Sequence, residues 1–359
     1  MSAELLEKAK KNKADEFYTQ LSDIELEMKF YKEQFKGKTI FCNCDDPYES
    51  NFFKYFALNF NFLGLKKLIA TCYSGSPIIG TQFTMFSNEE AEYNRNPYKI
   101  EITEVKDENK DGAIDLFDIE HLLKNEKNAL TLLKGNGDFR SKECIELLRE
   151  SDIVVTNPPF SMFRDFVLLL EKYNKKYLII GNTNALTYVN IFQLIKEDRL
   201  RTGYTNFNVG MYFYVPDGWK KYHKVENGRK LVRVSTSCWF TNLDVKKHNA
   251  FITLYKQYSP EEYPIYANYN AIEVSKVAEI PYDYDGEMGV PITFLDKFNP
   301  EQFEIIGSSR FLGKPMTEIA EKGSYVSGGI RFYLPNKDGS YRRLYDRIVI
   351  KRKGARNED

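Results

Sequence analysis

Histidine and cysteine are scarce in this sequence, and neither is spaced for a metal site or a disulfide framework. The 359 residues include three His and five Cys, and no two Cys form a C-x-x-C pair. The odd number of cysteines and their unpaired spacing argue against structural zinc and against a set of disulfides. We therefore expect no bound metal and a reduced, cytoplasmic protein.

A long apolar run and an excess of charge of either sign are also missing. No apolar stretch approaches the length of a membrane-spanning helix, so we expect no membrane partner. Lys and Arg together number 51, as do Asp and Glu. A phosphate-binding surface would therefore need local segregation of basic residues. One such cluster lies near the C-terminus, where a solvated tail is the alternative explanation. It consists of Arg342, Arg343, Arg347, Lys351, Arg352, Lys353 and Arg356.

Apolar residues, by contrast, are abundant, and they fall in alternating strand-like and helix-like segments. They make up 42% of the chain, which is enough for a large core. Strands separated by helices predict a doubly wound α/β sheet within residues 1–255. Residues 256–359 are predicted to form a smaller, loop-rich region with a preference for strands. The predicted strands of the sheet are 38–42, 67–73, 98–105, 152–156, 177–181, 210–215 and 237–242.

Small polar residues and glycine mark the expected helix boundaries. Ser50, Ser141 and Ser161 are each predicted to cap the start of a helix, and Gly64 to end one. Residues 74–130 are predicted to be mostly irregular apart from the strand at 98–105.

The motif with the clearest chemical meaning is Asn157-Pro158-Pro159-Phe160, directly after the predicted strand 152–156. Two prolines require a turn there. The side-chain oxygen of Asn157 and the carbonyl oxygen of Pro158 can accept both N–H groups of a planar amine, so that its lone pair faces a methyl donor. Phe160 offers a ring on which an extruded base can stack. A rigid Pro-Pro turn without catalytic function is the alternative.

This string resembles the catalytic motif of the amino-methyltransferases, (Asp/Asn/Ser)-Pro-Pro-(Tyr/Phe). Residues 15–180, including the string Phe41-Cys-Asn-Cys-Asp-Asp-Pro47, and residues 289–294 resemble the EcoRI-type adenine-specific modification methyltransferases. The resemblance implies a Rossmann-like class I core, residues 1–255, with a target-recognition region in 256–359. It also implies a monomer of restriction-modification type that flips adenine out of double-stranded DNA and methylates N6 with S-adenosylmethionine.

The same resemblance implies particular site residues. Asn157, Pro158 and Phe160 would be catalytic, with Asn157 also adjoining the cofactor. Asp138 would hydrogen-bond the cofactor's adenine amine, and Phe139 would pack on its adenine ring. The remaining implied cofactor residues, near the methionine end and in the loop after the first strand of the sheet, are Phe17, Tyr18, Thr19, Asp45 and Asp46.

The sequence departs from the general amino-methyltransferase pattern in the glycine-rich loop. Where that pattern has Asp-Pro-Phe-x-Gly-x-Gly, Ser50 and Phe52 replace the two glycines, and the EcoRI-type enzymes resemble this chain in that departure. The strand 67–73 also lacks the usual terminal acidic residue, which leaves Asp45 and Asp46 as the nearest candidates for the cofactor ribose. Methylation of RNA adenine or of protein glutamine remains an alternative, because the motif suits any planar amine. A nucleic-acid-binding module without catalysis is a further one, against which the intact residues 157–160 argue.

Overall fold

A computed structural model describes residues 18–44, 50–72, 97–125, 130–215 and 218–353. The chain folds into two compact units, described separately below. The first consists of residues 1–185 and 202–244, and the second of residues 186–201 and 245–359. The functional roles expected for 1–255 and 256–359 stay predictions.

The first unit carries most of the helices and the two sheets around the candidate site. Its helices are α1 (Leu21–Met28), α2 (Lys32–Phe35), α3 (Asn51–Leu58), α4 (Phe60–Leu63), α5 (Leu116–Asn125), α6 (Lys142–Glu150) and α7 (Phe163–Lys172). Its strands are β1 (Tyr18–Thr19), β2 (Thr39–Cys42), β3 (Lys67–Thr71), β4 (Tyr98–Ile102), β5 (Leu130–Leu132), β6 (Ile153–Thr156), β7 (Lys176–Asn182), β9 (Met211–Val215), β10 (Lys224–Glu226), β11 (Arg229–Val234) and β12 (Ser237–Thr241), and β8 (Arg201–Thr202) ends the larger sheet.

The larger sheet has the order β5-β4-β3-β2-β6-β7-β12-β8 among the described residues. Strands β3, β2, β6 and β7 run parallel, whereas β4, β5 and β12 are antiparallel to their neighbours. Every residue of β2 and β6 is buried, as expected for central parallel strands that are covered on both faces. The chain is therefore a mixed α/β protein, as the alternation of strands and helices predicted.

Serine and glycine fix several of the helix boundaries in this unit. The Ser50 hydroxyl accepts hydrogen bonds from the amides of Phe52 and Phe53, and Gly64 ends α4 at φ +60°. Ser141 caps α6 in the predicted way. The prediction for Ser161 is wrong: this residue lies within a 3-10 turn, and α7 begins at Phe163 without a side-chain cap. The prolines at 158 and 159 delay the helix by forcing an extended backbone first.

Two further features of this unit were not predicted. Helix α5 lies in the segment expected to be mostly irregular, where only Asp115 and Asp118 supply a helix-start signal. Strand β9 belongs to a second, four-stranded antiparallel sheet of order β1-β9-β11-β10 instead of to the large sheet. Its alternation of buried and half-buried residues shows that one face of this small sheet is apolar.

The second unit contains α8 (Val189–Lys196) and short strands joined by loops and 3-10 turns. The strands are β13 (Ile272–Glu273), β14 (Met288–Pro291), β15 (Phe303–Ser308), β16 (Tyr333–Pro335), β17 (Tyr341–Arg343) and β18 (Arg347–Arg352). They form a sheet of order β13-β14-β18-β15 and a separate β16–β17 hairpin.

A buried ion pair ties β13 to β18 in this unit. Arg347 donates from Nε and Nη2 to the Glu273 carboxylate, at 3.0 Å and 2.7 Å, and Tyr266 donates its hydroxyl to the same group. The side chains of Arg347 and Glu273 are 12% and 3% exposed. Arg347 is therefore engaged internally, and the exposed cations of the predicted C-terminal cluster include Arg342, Arg343 and Lys351.

Replacing Arg347 with alanine should strongly destabilise the protein. The substitution leaves the Glu273 carboxylate buried without its guanidinium partner, a change that typically costs about 3–5 kcal/mol. Urea unfolding of the full chain measures it. Arg343→Ala, at an exposed position, is the matched control and should change stability by about 0.5 kcal/mol or less. Equal losses in the two variants would contradict the stabilising role of the pair.

Candidate active site

The carboxyl ends of the parallel strands bring loop residues, with the predicted Asn157 among them, to one edge of the large sheet. Because β3, β2, β6 and β7 run parallel, the residues that follow them lie on the same side. Asn43 follows β2, Cys72 follows β3 and Asn157 follows β6. The chain leaves β2 towards β3 on one side and reaches β6 on the other, which makes this edge the usual position of a ligand crevice in α/β sheets.

The Asn157–Phe160 motif forms a turn at this edge. Pro158 is buried, Asn157 and Phe160 are half-buried, and Pro159 has an extended backbone at φ −53° and ψ 126°. The Met162 amide donates to the Pro159 carbonyl oxygen at 2.9 Å and closes the following 3-10 turn. Two fixed proline φ angles give the carbonyl oxygens of the turn little freedom to reorient.

Phe163 holds the turn against the sheet. Its ring packs on Gly181 of β7 so closely that a Cβ there would lie 2.3 Å from the ring. The ring also lies 5.0 Å from that of Phe240 on β12, between centroids. A glycine at 181 is therefore required for α7 to begin where it does, and this close packing positions the turn immediately before it.

Phe160 contacts the small sheet. Its ring meets that of Phe213 edge-to-face, with the centroids 6.2 Å apart. Phe213 lies opposite Thr19 in the β1–β9 pair, so both side chains point to the same face. Tyr18 lies opposite Tyr214 and points to the other face. The structure thus brings Thr19 to the side that carries Phe160 and directs Tyr18 away from it.

The Gly137-Asp138-Phe139 segment lies against the end of β3. Gly137 has φ +75°, and a Cβ on it would lie 2.0 Å from the Cys72 carbonyl oxygen. Only glycine fits such a close approach of two backbones. The contact brings the predicted cofactor residues Asp138 and Phe139 to the same edge of the sheet as Asn157.

Asp138 forms an ion pair with its neighbour Arg140. The guanidinium donates from Nε to one carboxylate oxygen at 2.9 Å and from Nη2 to the other at 2.6 Å. Hydrogen bonding from the Arg140 side chain lowers the pKa of Asp138 from its usual value of 3.8, so the carboxylate is ionised at neutral pH. It can accept a hydrogen bond from an amine, but it shares its oxygens with Arg140.

Phe139 is more deeply buried than its predicted role suggests. Its ring packs edge-to-face on Phe166 of α7, with the centroids 5.1 Å apart, and the residue is 5% exposed. The Arg140 guanidinium lies 5.2 Å from its ring centroid. Phe139 therefore links the Gly137–Phe139 segment to α7 through the protein core.

Ser50 and Phe52, at the two positions where the general methyltransferase pattern has glycine, have structural functions. Ser50 caps α3, so its hydroxyl satisfies amides at the start of that helix. Phe52 is buried and packs edge-to-face on Trp239, with the centroids 5.9 Å apart. The start of α3 is thus fixed by a cap and an aromatic contact. The predicted cofactor residues Asp45 and Asp46, like Phe17, lie outside the described residues.

Two buried polar atoms near the ends of β1 and β2 have no hydrogen-bond partner within the described part of the chain. They are Thr19 Oγ1 and Asn43 Nδ2. The Thr19 carbonyl oxygen accepts from the Asn51 side chain at 2.7 Å, which places Thr19 at the start of α3. Buried polar atoms of this kind are normally satisfied by protein, water or ligand. They fit a polar ligand at the carboxyl end of β2.

Comparison with known proteins assigns the family. A model of the family described as "Adenine-specific methyltransferase EcoRI" matches residues 5–353. The chain belongs to this family. Its activity is that of an adenine-specific DNA methyltransferase, as the resemblance of residues 157–160 and their surroundings implied. An enzyme of this family uses a methyl donor.

Curated relatives align with the methyltransferase over nearly its whole length. Type II methyltransferase M.EcoRI of Escherichia coli is 46% identical over 93% of this chain and 96% of its own. Type II methyltransferase M.MpnI of Mycoplasma pneumoniae is 39% identical over 96% of this chain and 97% of its own. Type II methyltransferase M.MgeORF184P of Mycoplasma genitalium is 36% identical. No solved structure matches the chain.

Sequence reasoning missed Phe213 and Asn43 as parts of this site. Phe213 reaches it only through the pairing of β9 with β1, which lie far apart in the sequence. Asn43 stands in the string Phe41–Pro47, where its neighbours Asp45 and Asp46 drew attention instead. Its position directly after the apolar residues 40–42 of a predicted strand was the available signal.

Residues 107–118 of the methyltransferase form a segment rich in acidic side chains. Its spacing of oxygen-bearing side chains, with Gly112 in sixth position, is that of twelve-residue calcium loops. Backbone amides occupy the carboxylates: Gly112 donates to Asp107 and Glu108 donates to Asp118, each at 2.8 Å. Within the described residues, no three His, Cys, Asp or Glu side chains are grouped to hold a metal ion.

In the same part of the chain, no helix is long and apolar enough to cross a membrane.

Replacing Gly137 with alanine should destabilise the protein more than the same replacement at a left-handed glycine without close neighbours. Gly37→Ala is the matched control, because Gly37 has φ +70° but no atom within 4 Å of its Cβ position. The control should lose about 1–2 kcal/mol of stability from backbone strain alone. Gly137→Ala should lose more and should also bind methyl donor less tightly. Urea unfolding and calorimetry measure both effects, and matching results for the two variants would contradict the close-contact role of Gly137.

Proposed function

We propose that the protein transfers a methyl group from S-adenosylmethionine to the exocyclic N6 amine of adenine at a specific sequence in double-stranded DNA, as part of a restriction-modification system. The observation that carries this proposal is the position of the Asn157–Phe160 turn beside the carboxyl ends of β2 and β3. The Gly137–Phe139 segment and the end of β2 border the same edge. The base-binding and cofactor-binding halves of a methyl-transfer site would then be adjacent.

The base-binding half consists of the turn itself. The Asn157 side-chain oxygen and the Pro158 carbonyl oxygen would accept the two N–H groups of the adenine amine and direct its lone pair outward. These acceptors need little reorganisation, because the two prolines already fix the backbone. Phe160 would stack on the extruded adenine, and its edge-to-face contact with Phe213 orients the ring. After transfer, the positively charged nitrogen is acidic and loses a proton, so no strong base is required.

The cofactor-binding half borders β2 and β3. Asp138 would accept a hydrogen bond from the adenine amine of S-adenosylmethionine, and Thr19 and Asn43 carry polar atoms suited to its polar groups. When bound, the cofactor supplies an electrophilic methyl group on sulfur. The residues present fit such a polar, partly aromatic molecule. The amides of Phe52 and Phe53 already donate to the Ser50 hydroxyl, so the cofactor would be held by other groups than these two amides.

The larger architecture fits this function. We propose that the large sheet is doubly wound in the Rossmann-like manner of class I methyltransferases, with reversal of strand order at β2 and β6. The loop-rich region from residue 256 onward would contribute to target recognition. The enzyme would act as a monomer in the cytoplasm, where its DNA substrate lies.

The proposed specificity for adenine in DNA is tested by comparing methyl transfer to DNA, RNA and protein. Tritium transfer from labelled S-adenosylmethionine should label duplex DNA and yield N6-methyladenine on digestion. The same planar-amine geometry would suit adenine in RNA or a glutamine side chain, so RNA and protein fractions are measured in parallel. Label in either fraction without label in DNA would refute the proposal. Absence of transfer to all three, with cofactor and DNA still bound, would identify a catalytically silent binding module.

Replacing Asn157 or Phe160 should impair different steps. Asn157→Ala removes an acceptor whose interaction strengthens as the amine becomes positively charged, so the single-turnover transfer rate should fall sharply. Asn157→Asp keeps an acceptor oxygen and should retain more of the rate. Phe160→Ala removes a stacking surface worth about 1–3 kcal/mol and should weaken capture of the extruded base.

Cofactor affinity separates these effects from a general disturbance. It should change little in either alanine variant, because both side chains act on the base. Phe62→Ala is the control for loss of an aromatic ring, since Phe62 is exposed and lies in α4. An Asn157→Ala enzyme with the wild-type transfer rate, or one that fails only by losing cofactor, would return the motif to a purely structural turn.

Replacing Asp138 should weaken cofactor binding. Loss of the hydrogen bond predicts an affinity lower by about 1–3 kcal/mol in Asp138→Ala. Arg140→Ala frees the carboxylate from its present partner and should not weaken binding. Because Arg140 lowers the pKa of Asp138, the carboxylate stays ionised, and wild-type affinity should not fall through this group between neutral pH and about pH 5. Calorimetry across pH measures all three, and unchanged affinity in Asp138→Ala would remove this residue from the site.

A further inference from the structure

A basic hairpin adjoins the candidate active site within the first unit. Residues 218–234 contain six Lys or Arg and one acidic residue, Glu226, although the whole chain has no net charge. Strands β10 and β11 form most of this segment and extend the small sheet beyond β9. Positive charge is therefore segregated locally in the part of the chain that pairs with β9.

The strand register places the cations and two tyrosines on one face. Arg229, Leu231 and Arg233 alternate along β11 and share a face. Arg233 lies opposite Tyr212 on β9. Leu231 lies opposite Tyr214 on β9 and opposite Lys224 on β10. Directly opposed residues, and residues two apart on a strand, share a face. The same register also puts Tyr18, Glu226 and the buried Leu231 on this face. We use the name basic aromatic face for its cations and two of its tyrosines, which are Tyr212, Tyr214, Lys224, Arg229 and Arg233.

Ring contacts hold two of the cations in place. The Lys224 ammonium lies 4.9 Å from the Tyr212 ring centroid, and the Arg229 guanidinium lies 4.3 Å from that of Tyr214. Cations held over rings lose less freedom when they bind an anion. Lys224 also contacts Glu226 at 3.0 Å, but both side chains are more than two-fifths exposed. Such a surface ion pair is weak and can be exchanged for a phosphate.

The opposite face of the same sheet packs on the catalytic turn. Phe213 lies between Tyr212 and Tyr214 on β9, points the other way and meets the Phe160 ring. The basic aromatic face and the Phe160 ring, on which the base would stack, thus lie on opposite sides of the same small sheet. A nucleotide extruded onto Phe160 remains joined to its phosphodiester backbone, so adjacent phosphates must pass near this sheet.

We propose that the basic aromatic face, together with the neighbouring Lys220 and Lys221, binds the DNA sugar–phosphate backbone beside the target adenine. The inference rests on the proposed function and adds a contact surface that lies outside the expected recognition region, residues 256–359. Lys and Arg bind phosphate independently of sequence, so this surface positions the duplex and does not select the site. The tyrosine rings support the cations and limit the depth to which the backbone can approach.

The test compares the salt dependence of DNA binding in wild type and in three full-length variants. Lys224→Gln/Arg229→Gln removes two cations from the face, and Lys220→Ala/Lys221→Ala removes two from the exposed preceding segment. Lys38→Ala/Lys66→Ala is the control with the same charge change. Its residues are exposed and precede β2 and β3, at the amino ends of the strands, away from the candidate site.

Each released phosphate contact contributes about 0.9 to the slope of log Kd against log salt. Each hairpin variant should therefore show a slope smaller by about 1.8, and affinity about tenfold weaker at moderate salt, for target and non-target duplexes alike. The control should match wild type. Single-turnover methyl transfer at saturating DNA and cofactor affinity should remain within about twofold of wild type.

The outcomes separate this inference from the function on which it rests. Wild-type slopes in both hairpin variants, while wild type methylates adenine in DNA, would overturn the inference alone. Loss of affinity for the target duplex only would show base reading and would also overturn it. A wild-type enzyme that does not methylate DNA would refute the proposed function, whatever the hairpin variants do. A hairpin variant that has also lost cofactor affinity is misfolded, and its DNA-binding slope is not compared; a variant with wild-type cofactor affinity is folded.

Discussion

The parallel pairing of β2 with both β3 and β6 is the constraint on which the candidate site depends. It places Asn43, which directly follows the buried strand β2, between the Asn157 turn on one side and the end of β3 on the other. The close approach of Gly137 to Cys72 then adds Asp138 to the same edge. Residues more than a hundred positions apart in the chain meet here only because the strands run in the same direction.

Close packing of aromatic side chains borders this edge. Gly181 admits the Phe163 ring, which fixes the start of α7, and Phe160 meets Phe213. At the start of α3, a serine cap and the buried Phe52 occupy the positions where the general methyltransferase pattern led us to expect glycines. Side chains that are already held by packing lose little entropy when a ligand binds.

Local signals carried much of the fold and part of the site. Apolar runs located β2, β3, β6 and β7, and Ser50, Ser141 and Gly64 marked helix ends because capping depends on neighbouring residues alone. Long-range pairing was not accessible in this way. Strand β9 was predicted, but its partner β1 is two residues long and precedes it by almost two hundred positions. The contact of Phe213 with Phe160 and the burial of Arg347 by Glu273 likewise depend on tertiary packing.

The distribution of the five thiols has a practical consequence for spectroscopy. Cys42, Cys72, Cys144 and Cys238 are buried, and burial raises the pKa of Cys144 so that its unreactive protonated form dominates. Cys44 alone is partly accessible, and it directly follows Asn43 at the end of β2. A maleimide dye would therefore attach at a single native position without prior removal of cysteines. Its fluorescence would report on occupancy of the crevice in real time.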